Sequence, residues 1–209
     1  MPDVMVRRDT LSAASLKSPW RQPLKNRGPR RLPQRAPTTR RVAVTSNRRG
    51  PAAIEFPNEL EIVITREFDA PVELVFDVST KPEHVRKTIA PFEEEVTECS
   101  IDLRVGGNYH FVFVTDDGTE CSFRGTFLEV DPPTRTVQTW RFDGWPDVEA
   151  VESIDLHETD GVTKQTYRLV FYDKAGRDHM IKYDGLLANF DNEEDLLRSL
   201  LHPEGTVSG

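Results

Sequence analysis

Cysteine is almost missing from this chain, with two residues, Cys99 and Cys121, among 209. So few exclude a disulfide-dense secreted framework. One structural disulfide between them is open, two free buried thiols in a reducing cytosol are the favoured reading, and with no metal-ligand spacing around either one no metal site is expected. Long apolar runs are absent too; none approaches the roughly 20 residues that a membrane-spanning helix needs. Hydrophobic residues make up only 37% of the chain, which signals a segment that does not pack. Acids are scarce at one end and bases at the other. Residues 1–57 hold 13 Lys or Arg against three acids, Asp3, Asp9 and Glu55, a net charge of +10. Residues 58–209 hold 14 bases against 32 acids, a net charge of −18. Phosphate binding needs clustered Lys or Arg, so the acidic body is not built for nucleic acid.

Residues 1–57 also carry eight prolines and four arginine pairs, Arg7-Arg8, Arg30-Arg31, Arg40-Arg41 and Arg48-Arg49. Proline removes backbone donors, and high charge with low hydrophobicity cannot offset the entropy of ordering. The expectation is a basic, disordered cytoplasmic tail over 1–57, or a start placed too far upstream. An organellar transit peptide ranks second: the segment is Arg-rich and acid-poor but proline-laden, with no sustained amphipathic helix. One cytoplasmic domain is expected over residues 58–204.

Alternation of polar and apolar residues from Glu59 to Phe68 predicts a strand with Leu60, Ile62, Ile64 and Phe68 on its buried side. Asp69-Ala70-Pro71 then predicts a helix start, with Asp69 as the cap and Pro71 in the first turn. Val72, Val75, Phe76 and Val78 give that helix its apolar stripe. A second short helix follows from Thr80-Lys81-Pro82 and ends at Ala90-Pro91. Six strands come next, over about 96–103, 109–115, 121–130, 137–142, 148–156 and 164–172. Turn signals at Val105-Gly106-Gly107, Asp116-Asp117-Gly118, Asp131-Pro132-Pro133 and Asp160-Gly161 separate most of them, which argues an antiparallel meander. The last segment, about 178–201, reads as one long helix with Met180, Tyr183, Leu187, Phe190, Leu197 and Leu201 on one face and Gly185 inside it at some cost. Asp191, Glu193, Glu194 and Asp195 are expected to cap its last part or to face solvent.

This order is that of an α+β helix-grip fold: a curved antiparallel sheet of about seven strands around a long C-terminal helix, with two short helices after the first strand. Local motifs agree. Phe68-Asp69-Ala70-Pro71-Val72-Glu73-Leu74-Val75-Phe76 is similar to the opening signature of activator-of-heat-shock-protein-ATPase homologues, within the SRPBCC (START-like) superfamily. Asp102 to Gly107, Asp117-Gly118-Thr119, Phe127 to Pro133 and Thr139-Trp140-Arg141 resemble their later strands and turns, so the resemblance spans about residues 59–202. Two departures stand out. The tryptophan pair frequent after the second helix is replaced by Val85-Arg86-Lys87-Thr88-Ile89-Ala90-Pro91-Phe92. The His-containing Gly-Trp pattern of the terminal helix is replaced by Tyr183 to Phe190. Eukaryotic co-chaperones of this kind carry a further domain ahead of this one, and residues 1–57 are too short to supply it.

A bent sheet closed by a helix leaves space between the layers for an apolar pocket. Strand parity and helix spacing nominate its walls. Tyr109, Phe111 and Phe113 share one strand face, Phe123, Gly125 and Phe127 another. Trp140 and Phe142 go together, as do Tyr167, Leu169 and Phe171. Met180, Tyr183, Leu187 and Phe190 come from the helix. The expected function is non-enzymatic binding of a small lipophilic ligand or a protein partner. A homodimer through an exposed sheet edge is a further option. The alternative is a cavity enzyme of the cyclase, dehydratase or hydrolase sort. Its titratable candidates are His84, His110, His179, Tyr109 and Tyr183, but none has a visible partner, so no catalytic residue and no cofactor is assigned. An inward-facing histidine or acid among the aromatics would favour the enzyme; a purely apolar interior would favour binding.

Overall fold

Strand alternation in the sequence becomes a single twisted sheet in the computed structural model, which describes residues 50–90, 95–115, 118–144, 147–182 and 187–203. Its strands are β1 (Ala53–Glu55), β2 (Glu61–Phe68), β3 (Glu95–Ile101), β4 (Asn108–Val114), β5 (Glu120–Asp131), β6 (Arg135–Phe142), β7 (Val148–Thr159) and β8 (Val162–Phe171). The order across the sheet is β1-β2-β8-β7-β6-β5-β4-β3, with every pair antiparallel. β3 to β8 are thus the expected meander, and β2 adds on beside its last strand. The sheet has eight strands where sequence reading expected about seven. The extra one, β1, pairs Ile54 with Ile64 and comes from the segment expected to be tail. Three residues flanked by prolines are too short for a periodicity signal, and only the partner strand makes them a strand.

Helices α1 (Val72–Thr80) and α2 (Pro82–Thr88) connect β2 to β3, which lies on the opposite edge, so they cross the concave face. Pro71 takes the cap position of α1, and the Val72 amide donates to Glu158 Oε2 at 2.8 Å. The helix therefore begins two residues later than a cap at Asp69 suggested, with its first amide held by a carboxylate from β7. Pro82 opens α2 as expected, since its missing N–H has no helical acceptor in the first turn.

At the C-terminus the single expected helix over 178–201 is two elements, α3 (Lys174–Met180) and α4 (Ala188–Leu201). Asp173 caps α3 by accepting from the Gly176 amide at 2.7 Å, and the Ile181 amide closes it on Arg177 O. Tyr183 and Gly185 lie outside the described residues, as do residues 1–49 and the first two residues of the Asp116-Asp117-Gly118 turn. α4 packs against α1 and α2 over the sheet.

Two devices bend the sheet. Register shifts fall between Val96 and Glu98 and between Phe127 and Glu129, each a bulge that raises local twist. Gly125 in β5 lets the sheet close up: a Cβ there would sit 1.7 Å from Thr139 O and 2.7 Å from the Tyr109 ring. At the β7–β8 hairpin, Asp160 (φ 53°) and Gly161 (φ 79°) both take left-handed backbone, as a tight two-residue turn requires. The main core joins Ile62, Ile64 and Phe68 of β2 to Val75 and Val78 of α1, Trp140 and Phe142 of β6, and Phe190 and Leu197 of α4.

Candidate functional site

Between the concave face and the helices lies a cavity of about 130 Å³. β4 supplies Tyr109, Phe111 and Phe113, and β5 supplies Phe123 and Phe127. Trp140, Leu169, Met180 and Phe190 come from β6, β8, α3 and α4. Period-two alternation puts each strand group on one face, and the rings meet. Phe113 stacks on Phe123 at 5.7 Å, Phe123 lies 5.5 Å from Trp140, and Tyr109 sits 5.0 Å from Phe111.

Three of the nominated residues are in the core beside the cavity, not on its wall. Phe142 is stacked 4.9 Å from Phe123 and 6.1 Å from His179. Phe171 meets Trp140 edge-on at 6.1 Å. Leu187 packs half-buried against the core. Phe142 and Phe171 end their strands close to α3, which fills the space in front of them; strand parity gives a residue's side but not its depth along the strand. Tyr183 lies outside the described residues. The Gly125 position has no side chain to contribute, and Tyr109 lies against it instead.

No histidine reaches the cavity wall among the described residues. His110 faces the opposite side of β4 from Tyr109 and Phe111, where Nδ1 is 2.8 Å from Glu98 and Nε2 is 3.1 Å from Ser122 Oγ. His179 stacks on Phe142, and burial, then the charge of Lys182, lowers its pKa.

The cavity is not purely apolar, and its polar lining is what sequence reading missed. Glu152 of β7 is buried on the inner face, where its carboxylate accepts from Gln138 Nε2 at 2.7 Å and from the Tyr167 hydroxyl at 2.6 Å. Burial pushes its pKa up to about 7, while these two hydrogen bonds oppose the rise. Burial, then the charge of Glu152, pushes the Tyr109 and Tyr167 hydroxyls well above the usual phenol range. Tyr109 donates to Thr139 O at 3.0 Å.

A second carboxyl enters from the helix side. Glu193 of α4, expected to cap the helix or face solvent, turns into the cavity wall with Ser79 of α1, Gln165 of β8 and Asn189. Burial raises its pKa to about 7, against hydrogen bonds from Ser79 and Gln165 and the charge of Arg66. That arginine sits on the inward parity of β2 and is 3% exposed. It bonds Glu194 Oε2 at 3.2 Å and lies 3.4 Å from Asp191.

A signal for these residues was available. Gln138 shares parity with Trp140, Glu152 with Val148, Ala150 and Leu156, and Gln165 with Tyr167 and Leu169. Glu193 lies four residues after Asn189 and four before buried Leu197, on one helix face. Each is a polar residue in an apolar series.

Comparison with known proteins agrees with this architecture. Residues 69–195 match the family of Activator of Hsp90 ATPase homolog 1-like proteins. A solved protein from Rhodobacter sphaeroides aligns at TM-score 0.65 with 17% identity, over 71% of this chain and 99% of that one. One from Nitrosomonas europaea aligns at 0.60 with 27% identity, over 70% and 99%. One from Mycobacterium smegmatis aligns at 0.62 with 21% identity, over 72% and 97%. No curated protein matches the sequence. Sheet, crossing helices and C-terminal helix thus define a helix-grip domain of the SRPBCC type. Within that class, the chain belongs to the Activator of Hsp90 ATPase homolog 1-like family.

Proposed function

We propose that this protein is a non-enzymatic binding domain that encloses one compact, largely apolar small molecule between its sheet and its C-terminal helix. The observation that carries this reading is the cavity itself: about 130 Å³ walled by Tyr109, Phe111, Phe113, Phe123, Phe127 and Trp140. An apolar cavity of about 150 Å³ admits benzene, so the space suits a molecule of one ring. A polycyclic polyketide would not fit without displacing core side chains. The domain is assigned to residues 58–204 with β1 as an added edge strand. A reducing, cytoplasmic setting agrees with Cys99 and Cys121 standing outside any disulfide. No helix of the described residues is long and apolar enough to cross a membrane.

A specific observation favours a second reading, a cavity enzyme. Glu152 and Glu193 are buried acids with pKa values of about 7, the range that suits general acid–base work near neutrality. Against it, Glu152 is engaged through both oxygens by Gln138 and Tyr167, which leaves it a structural polar pair of the wall. Native mass spectrometry of the full chain, with and without added toluene, tests the binding reading. A stoichiometric adduct or a co-purified small molecule is the expected result. A protein that stays free of any ligand and whose melting is insensitive to toluene would overturn it. A co-purified molecule converted on incubation would favour the enzyme.

A further inference from the structure

We propose that the helix side of the cavity is a recognition site for a ligand ammonium group, so that the occupant is a compact aromatic or aliphatic primary amine. The inference rests on the binding reading above and specifies which chemistry the cavity selects. Three side-chain oxygens of the wall, Gln165 Oε1, Asn189 Oδ1 and Glu193 Oε2, are shut from solvent and find no hydrogen-bond partner among the described residues. A buried polar atom without a partner loses its water and gains nothing in return, so three in one wall call for a guest that satisfies them.

All three are acceptors, and their placement is shared. Gln165 is 1% exposed, and its amide is oriented by its own donor end, whose Nε2 lies 3.5 Å from Ser79 Oγ. The carbonyl end is thereby left for the guest. Ser79 Oγ also reaches Glu193 Oε1 at 3.4 Å, which ties α1, β8 and α4 together at this end. Asn189 stands one helical turn before Glu193 on α4 and therefore on the same face. A primary ammonium offers three N–H donors and one positive charge; the wall offers three free acceptors, one of them a carboxyl. An alcohol brings one donor, a hydrocarbon none. A ligand carboxylate would set charge against charge. The aromatic faces of Phe113, Phe123 and Trp140 suit the apolar body and tolerate a nearby cation.

Binding of toluene, benzyl alcohol, benzylamine and benzoate to the full chain, by calorimetry above the titration range of Glu193 (about 7), tests the proposal. Benzylamine is expected to bind at least about tenfold more tightly than toluene or benzyl alcohol, as a charge-assisted hydrogen bond would give over a neutral one, with benzoate weakest. Glu193→Gln should remove the benzylamine preference, bringing its affinity to that of benzyl alcohol. Equal affinities for toluene and benzylamine in the wild type would overturn the ammonium site while the binding reading stands. If none of the four binds, both fail. Should Glu193→Gln fold poorly, Asn189→Leu and the wild-type series still decide it, since toluene binding reports an intact cavity.

Discussion

Glu152 shows what one buried carboxyl does to the stability of the whole chain. Its pKa is about 7 when folded against 4.5 ordinarily, because burial disfavours the charged form. The folded state therefore holds its proton more tightly than the unfolded one. Stability from this group is full below about 4.5 and is lost as pH rises towards 7. A difference of this size corresponds to roughly 3 kcal/mol. Glu193 adds a loss of the same sign over the same window. Glu152→Gln should therefore flatten the fall in stability between mildly acid and neutral pH by about half and raise the neutral urea midpoint. Midpoints measured across that range for both proteins check this; two parallel profiles would mean that Glu152 does not titrate there. At this scale the sequence was half legible. The period-two pattern gave Phe111, Phe113 and Trp140 their inward side, and Glu152 and Gln165 share it. Nothing in a single strand says that the neighbouring strands bring Gln138 directly opposite Glu152 and Tyr167 diagonally across from it. An acid at an inward position therefore reads as an interruption until the β6–β7–β8 register pairs it.

Among elements, the contact that fixes the cavity's lid is electrostatic as well as apolar. Arg66 of β2 reaches Glu194 and Asp191 of α4 from a buried position. Removing one partner of a buried ion pair strands the other, typically at 3–5 kcal/mol. Glu194 keeps Arg198 at 3.0 Å, which softens the loss. Arg66→Met should then cost about 3 kcal/mol by denaturant titration and loosen α4 relative to the sheet. Hydrogen exchange at α4 amides would show it, and unchanged α4 protection would contradict this role. Beside β2, at the sheet edge, β1 covers it through the Ile54–Ile64 pair. At high salt, where the charge of residues 1–49 is screened, a chain starting at residue 50 should melt like the full chain. One starting at residue 58 loses β1, bares the β2 edge and should be less stable by about 1–2 kcal/mol, since edge pairs contribute roughly 0.2–1 kcal/mol each. Identical melting of the two truncated chains would make β1 ornamental. The strands β2 to β8 and both crossing helices were legible because each carries its own period and punctuation. β1 and the break between α3 and α4 were not: three residues have no period, and a helical spacing continues across a break that keeps the same apolar face.

For the whole molecule, charge is the property that no local element reveals. Residues 58–209 carry −18 and residues 1–57 carry +10. Like charges on the folded body repel, and salt screens them over about 10 Å at 0.1 M. A chain starting at residue 50 is therefore expected to gain melting temperature as salt rises. The full chain should gain less, because the basic segment already offsets part of that field. Thermal melts of both chains over a salt series check this, and equal slopes would deny any offset.

What the sequence determined by itself is the α+β class, the meander, the crossing helices and the apolar side of each element. These follow from periods of two and 3.6 residues together with Pro and Gly punctuation, all of which are local. The tertiary structure alone decided that a gap stays open between layers and that Glu152 and Glu193 end inside it. It also decided that Phe142 and Phe171 do not line it. Depth and company depend on register, sheet curvature and the seat of α4, which arise only when distant segments meet.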